Sequence, residues 1–288
     1  MIVWITGASS GLGLHTAKAL AEAGHTVIAG ARSFKRERGA DGIERIPLDV
    51  TSDASAEAFV SEALKINGRV DALVQCAGIL MLGSCEETTV DEYRRILETD
   101  FLGMVRMNAW VLPRMRAQGG GRIVMFSSIN GLLGIPFQSA YTAAKHAVEG
   151  YAESLQQETA GFGIQVCLVE PGDHRSGSDA YRFHSAAMAG DSPYAADYAD
   201  ATTVIRHDEH NGSDPAKLGR RVAGVLKRRR MPGRLRVASL DQKLAGWLHD
   251  LLPTRLNHAI LRSYYLNPKK ARRYREGEAG HEGAQSAL

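Results

Sequence analysis

The residues with the clearest chemical potential are a tyrosine and a lysine four positions apart, Tyr141 and Lys145, with Ser128 upstream of them. Positions i and i+4 share one face of a helix, so the phenol and the ammonium would lie side by side. Because an ammonium favours the phenolate, we expect the pKa of Tyr141 to fall below its usual value of about 10. Tyr141 is therefore a candidate general acid and base, with the Ser128 hydroxyl holding a carbonyl oxygen. Alone, this spacing is a weak signal.

Short apolar segments alternate with helical patterns along most of the chain, and this alternation predicts the fold. Strands are predicted at 2–6, 26–31, 43–48, 70–76, 121–126, 164–170 and 235–238. A first helix is predicted to follow the glycine-containing segment 7–13 and to end at about residue 23. Further helices are predicted at 54–66, 90–116, 139–161, 217–230 and 240–265. The alternation is typical of βαβ units. We therefore predict an α/β fold with a single Rossmann-type, doubly wound parallel sheet and helices on both faces.

Two later segments depart from this alternation. Residues 173–215 are polar and broken by Gly and Ser, which indicates a helical substrate lid. Residues 239–288 are predicted to form an amphipathic helical extension and a basic tail, frayed from residue 268 onward. We accordingly assign residues 1–238 to the catalytic domain. The lid carries four aromatic residues that either wall an apolar substrate pocket or pack the lid closed: Tyr181, Phe183, Tyr194 and Tyr198.

The net charge of +3 conceals an asymmetry. Residues 215–288 contain 17 Lys and Arg against 5 Asp and Glu, a net +12, while the first 214 residues carry 18 against 27, a net −9. No apolar run approaches the roughly 18 residues needed to cross a bilayer. The three cysteines lack metal-ligand spacing, so we expect no metal site and a cytoplasmic protein with reduced thiols. The cysteines are Cys76, Cys85 and Cys167.

A dinucleotide site is predicted at the first strand–helix junction. Gly7, Gly11 and Gly13 lie there, where glycines let the backbone approach a pyrophosphate that rests on the helix N-terminus. Arg32 follows the second strand, with three more basic residues over the next six positions and no acid at the strand end. An arginine at this place meets a 2′-phosphate, so we predict NADP(H) rather than NAD(H). The alternative is a solvated basic loop.

Together these features resemble the short-chain dehydrogenase/reductase family over about residues 1–215, and most closely its hydroxysteroid and retinol dehydrogenase-like branch. The resemblance implies that Ser128, Tyr141 and Lys145 are catalytic, and that Tyr141 and Lys145 also contact the cofactor. Five ordered motifs support the resemblance, and the remaining cofactor-binding residues that it implies are Thr6, Gly7, Ser9, Ser10, Gly11, Leu12, Gly13, Arg32, Asp49, Val50, Cys76, Ala77, Gly78, Pro171, Gly172 and Ser176.

By this resemblance, the activity is hydride transfer between NADP(H) and a hydrophobic ketone or secondary alcohol. Tyr141 exchanges a proton with the substrate oxygen, Ser128 positions that oxygen, and Lys145 binds the nicotinamide ribose and lowers the tyrosine pKa. Asp100 replaces the asparagine that is usually the fourth catalytic residue, and Cys76 replaces the second asparagine of the usual Asn-Asn-Ala-Gly. An alternative is an NADP(H)-binding sensor or scaffold without turnover, although the intact Ser128, Tyr141 and Lys145 argue against it.

The partners are predicted less directly. Leucines and Trp247 recur at helical spacing over residues 240–265, and the first interpretation is a pair of amphipathic helices packed on the domain or on a second subunit. With the basic runs at 227–230 and 269–275, the alternative is reversible contact with anionic lipid. The family resemblance implies a homodimer or homotetramer through the helices at 90–116 and 139–161. No nucleic-acid partner is expected. His174 either faces the substrate cleft or is a surface or packing residue without a chemical role.

Overall fold

The computed structural model describes the backbone of residues 1–285 and the side chains of residues 1–249 and 251–277. The strands of this part of the chain are β1 (Ile2–Thr6), β2 (Thr26–Ala31), β3 (Glu37–Arg38), β4 (Glu44–Pro47), β5 (Ala72–Gln75), β6 (Leu80–Leu82), β7 (Gly121–Phe126), β8 (Ile164–Pro171), β9 (Arg182–His184) and β10 (Arg234–Val237). Eight of them form one sheet in the order β10-β8-β7-β5-β1-β2-β4-β3. Every pairing is parallel except that of the short edge strand β3 with β4.

Helices cover both faces of the sheet. They are α1 (Gly11–Glu22), α2 (Asp53–Asn67), α3 (Val90–Leu97), α4 (Gly103–Ala117), α5 (Ser139–Thr159), α6 (Ala195–His210), α7 (Pro215–Leu226), α8 (Leu240–Leu251), α9 (Thr254–Tyr265) and α10 (Pro268–Gln285). The predicted doubly wound α/β fold is therefore confirmed. The strands β3, β6 and β9 were not predicted, because segments of two or three residues carry too little periodicity to be recognised.

Two hydrophobic cores, one on each face, hold the sheet between its helices. Successive residues of a strand point to opposite faces. Trp4 of β1 accordingly belongs to the core that includes α2, α4 and α5, and its ring packs edge-on to Phe59 at a centroid distance of 5.9 Å. Its neighbour Ile5 belongs to the opposite core with Leu20 of α1 and Leu218 of α7. Both faces are buried, which is why the central strands read as continuous apolar runs.

The long helix predicted at 90–116 is interrupted. Thr89 begins α3 with a reciprocal hydrogen-bonded cap to Glu92, but residues Glu98–Leu102 form a π-helical segment before α4 continues. The extra residue of a π-turn shifts the helix register locally, and such segments are frequent at functional sites. Here the segment contains Asp100, whose side chain is completely buried.

The prediction of a frayed tail from residue 268 onward is wrong for the described residues, because α10 packs against α6. The Tyr274 ring stacks on His207 with centroids 3.5 Å apart, and Arg275 forms a 2.9 Å ion pair with Asp200. The residues that make these contacts lie far apart in the sequence, so composition alone indicated a solvated tail.

In the lid segment, residues 173–215, β9 pairs in parallel with β6, and α6 completes the segment.

Residues 240–265 form two helices, α8 and α9, as predicted, but their apolar stripe does not pack on the domain of the same chain. The alternative, packing of this stripe on a second subunit, stays a prediction. Leu240, Leu244, Trp247 and Leu251 of α8 are exposed, as are Leu256 and Ile260 of α9. A buried polar contact fixes the turn between the two helices, since the Asn257 side chain donates hydrogen bonds to the carbonyls of His249 and Leu252. Among the described helices, none has the length and hydropathy of a membrane span.

Candidate active site

A cavity of about 250 Å³ lies at the carboxyl ends of the parallel strands, where ligands of doubly wound sheets bind. The structure brings all but one of the predicted site residues to its walls. The exception is Thr6, which is buried beneath it. Those that line the cavity are Gly7, Ser9, Ser10, Gly11, Leu12, Gly13, Arg32, Asp49, Val50, Cys76, Ala77, Gly78, Asp100, Ser128, Tyr141, Lys145, Pro171, Gly172 and Ser176.

The turn between β1 and α1 requires its glycines. Gly7 has a φ of +70°, and a Cβ on it would lie 2.5 Å from the backbone of Ala77. A Cβ on Gly13 would lie 2.1 Å from the Gly7 carbonyl oxygen, so α1 approaches β1 this closely only with glycine here. Ser10 precedes α1 without making a side-chain cap, which leaves the first N–H groups of α1 facing the cavity. This arrangement fits a pyrophosphate.

Arg32 occupies the end of β2 and lines the cavity as an exposed side chain. It forms no salt bridge with another described residue, whereas Arg36 and Arg38 both pair with the Glu44 carboxylate, at 2.9 and 3.3 Å. Four basic residues follow β2, and of these only Arg32 lines the cavity. Its charge has no ion-pair partner among the described side chains. Its guanidinium is suited to a phosphate group.

Polar side chains under the cavity floor hold its loops in place. The Thr6 hydroxyl accepts a hydrogen bond from the Ala77 N–H (3.3 Å), which fixes the loop after β5. Asp49 accepts hydrogen bonds from the Thr51 N–H (3.0 Å) and hydroxyl (2.8 Å). Burial raises the pKa of the Cys76 thiol well above its usual range, so Cys76 is an unreactive wall residue. Thr6 therefore acts on the cavity through the backbone.

Ser128, Tyr141, Lys145 and Asp100 form one cluster. Lys145 lies one turn after Tyr141 in α5, and its Nζ is 5.3 Å from the centre of the tyrosine ring. The same Nζ is 3.2 Å from Asp100 Oδ2 and donates a 3.2 Å hydrogen bond to the Phe126 carbonyl. Asp100 Oδ1 accepts a hydrogen bond from the Ile79 N–H (2.8 Å). The buried ion pair thus connects the π-helical segment to the helix that carries Tyr141.

The ion pair alters the predicted electrostatics of Tyr141. Burial raises the pKa of the phenol and the Asp100 charge adds to this, while Lys145 and a contact with Ser128 act in the opposite direction. The expectation that Lys145 lowers the tyrosine pKa is therefore wrong for the net shift, because burial and Asp100 outweigh the lysine. Burial opposes the charge of Lys145, but Asp100 keeps the pKa of the lysine raised. At neutral pH the phenol is protonated and the lysine charged.

A network that sequence reasoning missed positions Ser128. Ser128 follows β7, and its hydroxyl lies 3.3 Å from Asn130 Oδ1 and accepts a hydrogen bond from the Asn130 N–H. The amide of Asn130 donates to Gln138 Oε1 (2.8 Å), directly before α5 begins. Both amide side chains are buried. No motif marks them, although their place between Ser128 and Tyr141 was a usable signal.

The far end of the cavity carries three carboxyl groups, from Asp173, Asp208 and Glu209. Burial raises the pKa of Asp173 to about 7, and the neighbouring Asp208 and Glu209 add to the effect. Glu209 pairs with the buried Arg182, whereas no described cation forms a salt bridge with Asp173. Its carboxylate instead accepts a hydrogen bond from Gln242 of α8. Asp173 directly follows Pro171 and Gly172, so its place was predictable, but Asp208 and Glu209 lie on α6 without a motif.

The lid aromatics divide between the two predicted roles. Tyr181 lines the cavity and its hydroxyl lies 3.1 Å from Ser176 Oγ. The others pack the lid: Phe183 lies under the Arg95 guanidinium at 3.5 Å, and Tyr198 packs on Phe137. Tyr194 is half-buried and donates a hydrogen bond to Glu86. A further aromatic, Tyr265 of α9, lines the cavity and was not predicted.

His174 is buried, and its Nδ1 bonds the Gly172 carbonyl at 2.8 Å. Burial lowers the pKa of His174, so the imidazole is uncharged at neutral pH. The ring packs beside the Gly172 backbone and also lines the cavity. Within the described part of the chain, no group of His, Cys, Asp or Glu side chains has the arrangement of a metal site.

Comparisons with known proteins agree with this geometry. Residues 1–185 match the family described as short chain dehydrogenase. The chain is 37% identical over 264 residues to a 3-ketodihydrosphingosine reductase of Bacteroides thetaiotaomicron, covering 92% of this chain and 97% of that protein. A solved short-chain dehydrogenase from Streptomyces avermitilis is 35% identical with a TM-score of 0.75, covering 87% of this chain and 94% of its own.

A second solved structure shows the same fold at lower identity. It is an alcohol dehydrogenase from Thermococcus sibiricus, complexed with 5-hydroxy-NADP, with 24% identity and a TM-score of 0.68, covering 83% of this chain and 97% of its own. The glycine turn, the cavity at the strand ends and the Ser128, Tyr141 and Lys145 cluster fit a nicotinamide dinucleotide. The chain therefore belongs to the short-chain dehydrogenase/reductase family and is a NAD(P)-dependent oxidoreductase.

Proposed function

We propose that the protein reduces a hydrophobic ketone with NADPH, using Tyr141 as the proton donor. The observation that carries this proposal is the geometry of the cluster, in which the buried Lys145 Nζ lies 5.3 Å from the centre of the Tyr141 ring and 3.2 Å from Asp100 Oδ2. A protonated phenol suits reduction, because it gives its proton to the carbonyl oxygen as the carbon receives a hydride. The bound nicotinamide would supply that hydride. The ketone thus gains one hydride and one proton and becomes a secondary alcohol.

In this proposal each member of the cluster has a separate task. Ser128 holds the carbonyl oxygen, and Asn130 holds Ser128. Lys145 binds the nicotinamide ribose and moderates the tyrosine pKa. Asp100 keeps Lys145 charged at a buried position, where an unpaired ammonium would be costly. Asp100 acts through Lys145 and is a positioning residue rather than a proton carrier.

The choice of NADPH over NADH is supported by Arg32. Its guanidinium stands at the end of β2 without a salt bridge to any other described residue, and a 2′-phosphate would supply one. The archaeal alcohol dehydrogenase of the same fold was solved with an NADP derivative, which agrees with this choice.

For the substrate, we propose a long-chain α-amino ketone. The relative from Bacteroides thetaiotaomicron is named for 3-ketodihydrosphingosine, a ketone with a long alkyl chain and a neighbouring ammonium group. In this chain the far end of the cavity combines Ile205, Tyr181 and Tyr265 with the carboxyl group of Asp173. An ammonium beside Asp173 would neutralise a buried carboxylate that lacks a described cationic partner.

The test is a kinetic assay of NADPH oxidation with 3-ketodihydrosphingosine, its uncharged N-acetyl derivative and a simple long-chain ketone. We expect NADPH-dependent reduction of all three, with kcat/KM about tenfold or more higher for the amino ketone. Equal values for the charged and uncharged ketones would contradict the substrate proposal. Tight NADPH binding without turnover of any ketone would contradict the enzyme assignment and favour a sensor or scaffold.

We also propose that the enzyme acts as a homodimer or homotetramer in the cytoplasm. In the family, such assemblies form through long helices that correspond here to residues 90–116, which contain α3 and α4, and to residues 139–161, which contain α5. Light scattering coupled to size-exclusion chromatography gives the mass of the particle directly, relative to the 31.2 kDa chain. A monomer at micromolar concentration would contradict the assembly, and fractionation of the producing cells tests the location.

A further inference from the structure

An unusual surface lies on the C-terminal helices. Leu240, Leu244, Trp247 and Leu251 are spaced so that they form one stripe along α8, and Leu256 and Ile260 extend it onto α9. These six side chains, here called the C-terminal apolar face, are between 45% and 84% exposed. Apart from Tyr264 of α9, the other exposed large hydrophobic residues of the described chain are scattered singly: Met1, Val90, Leu102 and Phe162. A contiguous apolar face on a folded surface indicates an interaction site.

The two helices that carry this exposed face, α8 and α9, are held in place by contacts on their other sides. Gly246, on the opposite side of α8 from the stripe, packs close to Arg236 and Leu132, and Gln242 holds Asp173. The buried Asn257 fixes the turn between α8 and α9 through the carbonyls of His249 and Leu252. Polar contacts therefore anchor the helices, and the apolar stripe that could have packed on the domain faces outward.

The charges around this face identify its partner. Residues 239–276 contain eight Lys and Arg against three Asp and Glu, and α9 carries Arg255 and Arg262 with no acidic residue. Both arginines are exposed, as are Lys269, Arg272 and Arg273 of the neighbouring α10. An exposed apolar stripe, together with exposed basic residues on α9 and α10, matches the interface of an anionic bilayer. A symmetric contact with a second copy would instead bring the same basic segment against itself.

We propose that the C-terminal apolar face docks reversibly on the surface of anionic lipid membranes. The stripe enters the boundary between headgroups and acyl chains, and the basic side chains of α9 and α10 meet the lipid phosphates. The attachment is peripheral, because it uses one side of two helices. Docking is a property of the surface and holds whether or not the cavity turns over a ketone.

The same helices border the cavity, which gives docking a consequence for the substrate. Tyr265 of α9 lines the cavity, and the Tyr264 hydroxyl donates a 2.9 Å hydrogen bond to the cavity residue Asp208. Gln242 of α8 contacts Asp173 in the same wall. Docking therefore places the substrate end of the cavity beside the lipid. Resting on the proposed function, this arrangement lets a long-chain ketone enter from the membrane.

Vesicle co-sedimentation tests the docking. The full-length protein is mixed with vesicles of phosphatidylcholine alone or of phosphatidylcholine with phosphatidylglycerol, at low and high salt. We expect binding to the anionic vesicles at low salt, and about tenfold or more weaker binding when Trp247 and Leu251 are both changed to Ser. The matched control is Phe162→Ser, which removes an exposed apolar ring outside the face and should bind as the unmodified protein does.

Tryptophan fluorescence gives a second readout. Of the three tryptophans, Trp4 is fully buried and Trp110 is partly buried against the core. A blue shift on adding anionic vesicles is therefore expected from the exposed Trp247 and should be lost in Trp247→Phe, which keeps the other two. Absence of binding to anionic vesicles, or equal binding by the double variant, would overturn the proposal. Loss of a dimer in the double variant, with no lipid binding by either protein, would identify a second copy as the occupant and also overturn it.

Activity distinguishes this proposal from the proposed function. NADPH-dependent reduction of a water-soluble ketone should be the same in the Trp247 and Leu251 double variant as in the unmodified protein. Vesicle binding without any reductase activity would leave docking intact and contradict only the proposed function. Reductase activity without vesicle binding would leave the proposed function intact and contradict only the docking.

Discussion

The cofactor half and the substrate half of the cavity are built by different means. On the cofactor side, backbone geometry dominates. Gly7 and Gly13 have no side chains, which lets neighbouring backbone segments approach closely, and the N-terminus of α1 faces the cavity. On the substrate side, side chains dominate, and they come from the segment after β8, from α6 and from α9. The first half fits a group common to all nicotinamide cofactors, whereas the second must distinguish one substrate from others.

This difference decides how each half withstands substitution. Backbone recognition fails when a side chain is added, because added atoms collide with the main chain. Side-chain recognition fails when a group is removed or its charge changes. One substitution adds a side chain to the cofactor half, and the others remove a group or a charge; they are taken from the largest expected effect to the smallest.

Gly13→Ala is expected to have the largest effect. The added Cβ would lie 2.1 Å from the Gly7 carbonyl oxygen, so α1 must move away from β1. We expect about 3 kcal/mol of lost stability and loss of NADPH binding, measured by denaturant unfolding and by fluorescence titration. The control is Gly150→Ala in α5, where the new Cβ meets nothing within 4 Å and should be neutral or stabilising. Equal behaviour of the two variants would contradict the close approach of α1.

Asp173→Asn tests the charged substrate half through pH. In the unfolded chain the carboxyl loses its proton near its ordinary pKa of 3.8, while in the folded protein burial raises the pKa to about 7. Between these values the native state binds more protons than the unfolded state, so this group lowers stability as pH rises. Replacing it should stabilise the protein by about 2–4 kcal/mol at about pH 8, and by less at about pH 5. Denaturant unfolding at both pH values measures this, and a pH-independent difference would contradict the assignment.

Arg32→Ala tests the cofactor choice. Removing a guanidinium that binds a 2′-phosphate should weaken NADPH binding about tenfold to a hundredfold and leave NADH binding unchanged. Arg38→Ala is the matched control, because its guanidinium already pairs with Glu44 and should alter neither affinity. If the two cofactors lost affinity equally in Arg32→Ala, the arginine would have a general electrostatic role and the NADPH preference would need another source.

Asp100→Asn is expected to have the smallest effect on turnover. The amide is nearly isosteric and keeps an acceptor for the Ile79 N–H. Because the Asp100 charge raises the pKa of Tyr141, its removal should lower that pKa and move the pH profile of turnover to lower pH. We expect kcat to be kept or to rise within about threefold. A loss of about a hundredfold would show that the acid has a role of its own.

Much of the fold was predictable from the sequence because the central strands are buried on both faces and read as apolar runs. The cofactor half was predictable for a related reason: Gly7, Gly11 and Gly13 are required at fixed spacing by local backbone geometry. Asp208, Glu209 and Tyr265 reach the cavity through the packing of α6 and α9, which no local pattern encodes. The π-helical turn that buries Asp100 and the packing of α10 likewise depend on tertiary contacts.

The electrostatics of Tyr141 show the same limit. The spacing of Tyr141 and Lys145 correctly placed a cation beside the phenol, but burial and Asp100 depend on the folded surroundings and reverse the expected net shift. Charge spacing along a helix predicts which groups meet, while the depth at which they meet decides which protonation state is favoured.

The measurement that tests the central claim most directly is turnover and NADPH affinity of Tyr141→Phe. Removing the hydroxyl deletes the proposed proton donor but keeps the ring, so kcat should fall by about a thousandfold or more. The dissociation constant for NADPH, measured by fluorescence titration, should stay within about threefold of the unmodified value. This combination would support reduction with Tyr141 as the acid. Unchanged turnover in the variant would contradict it.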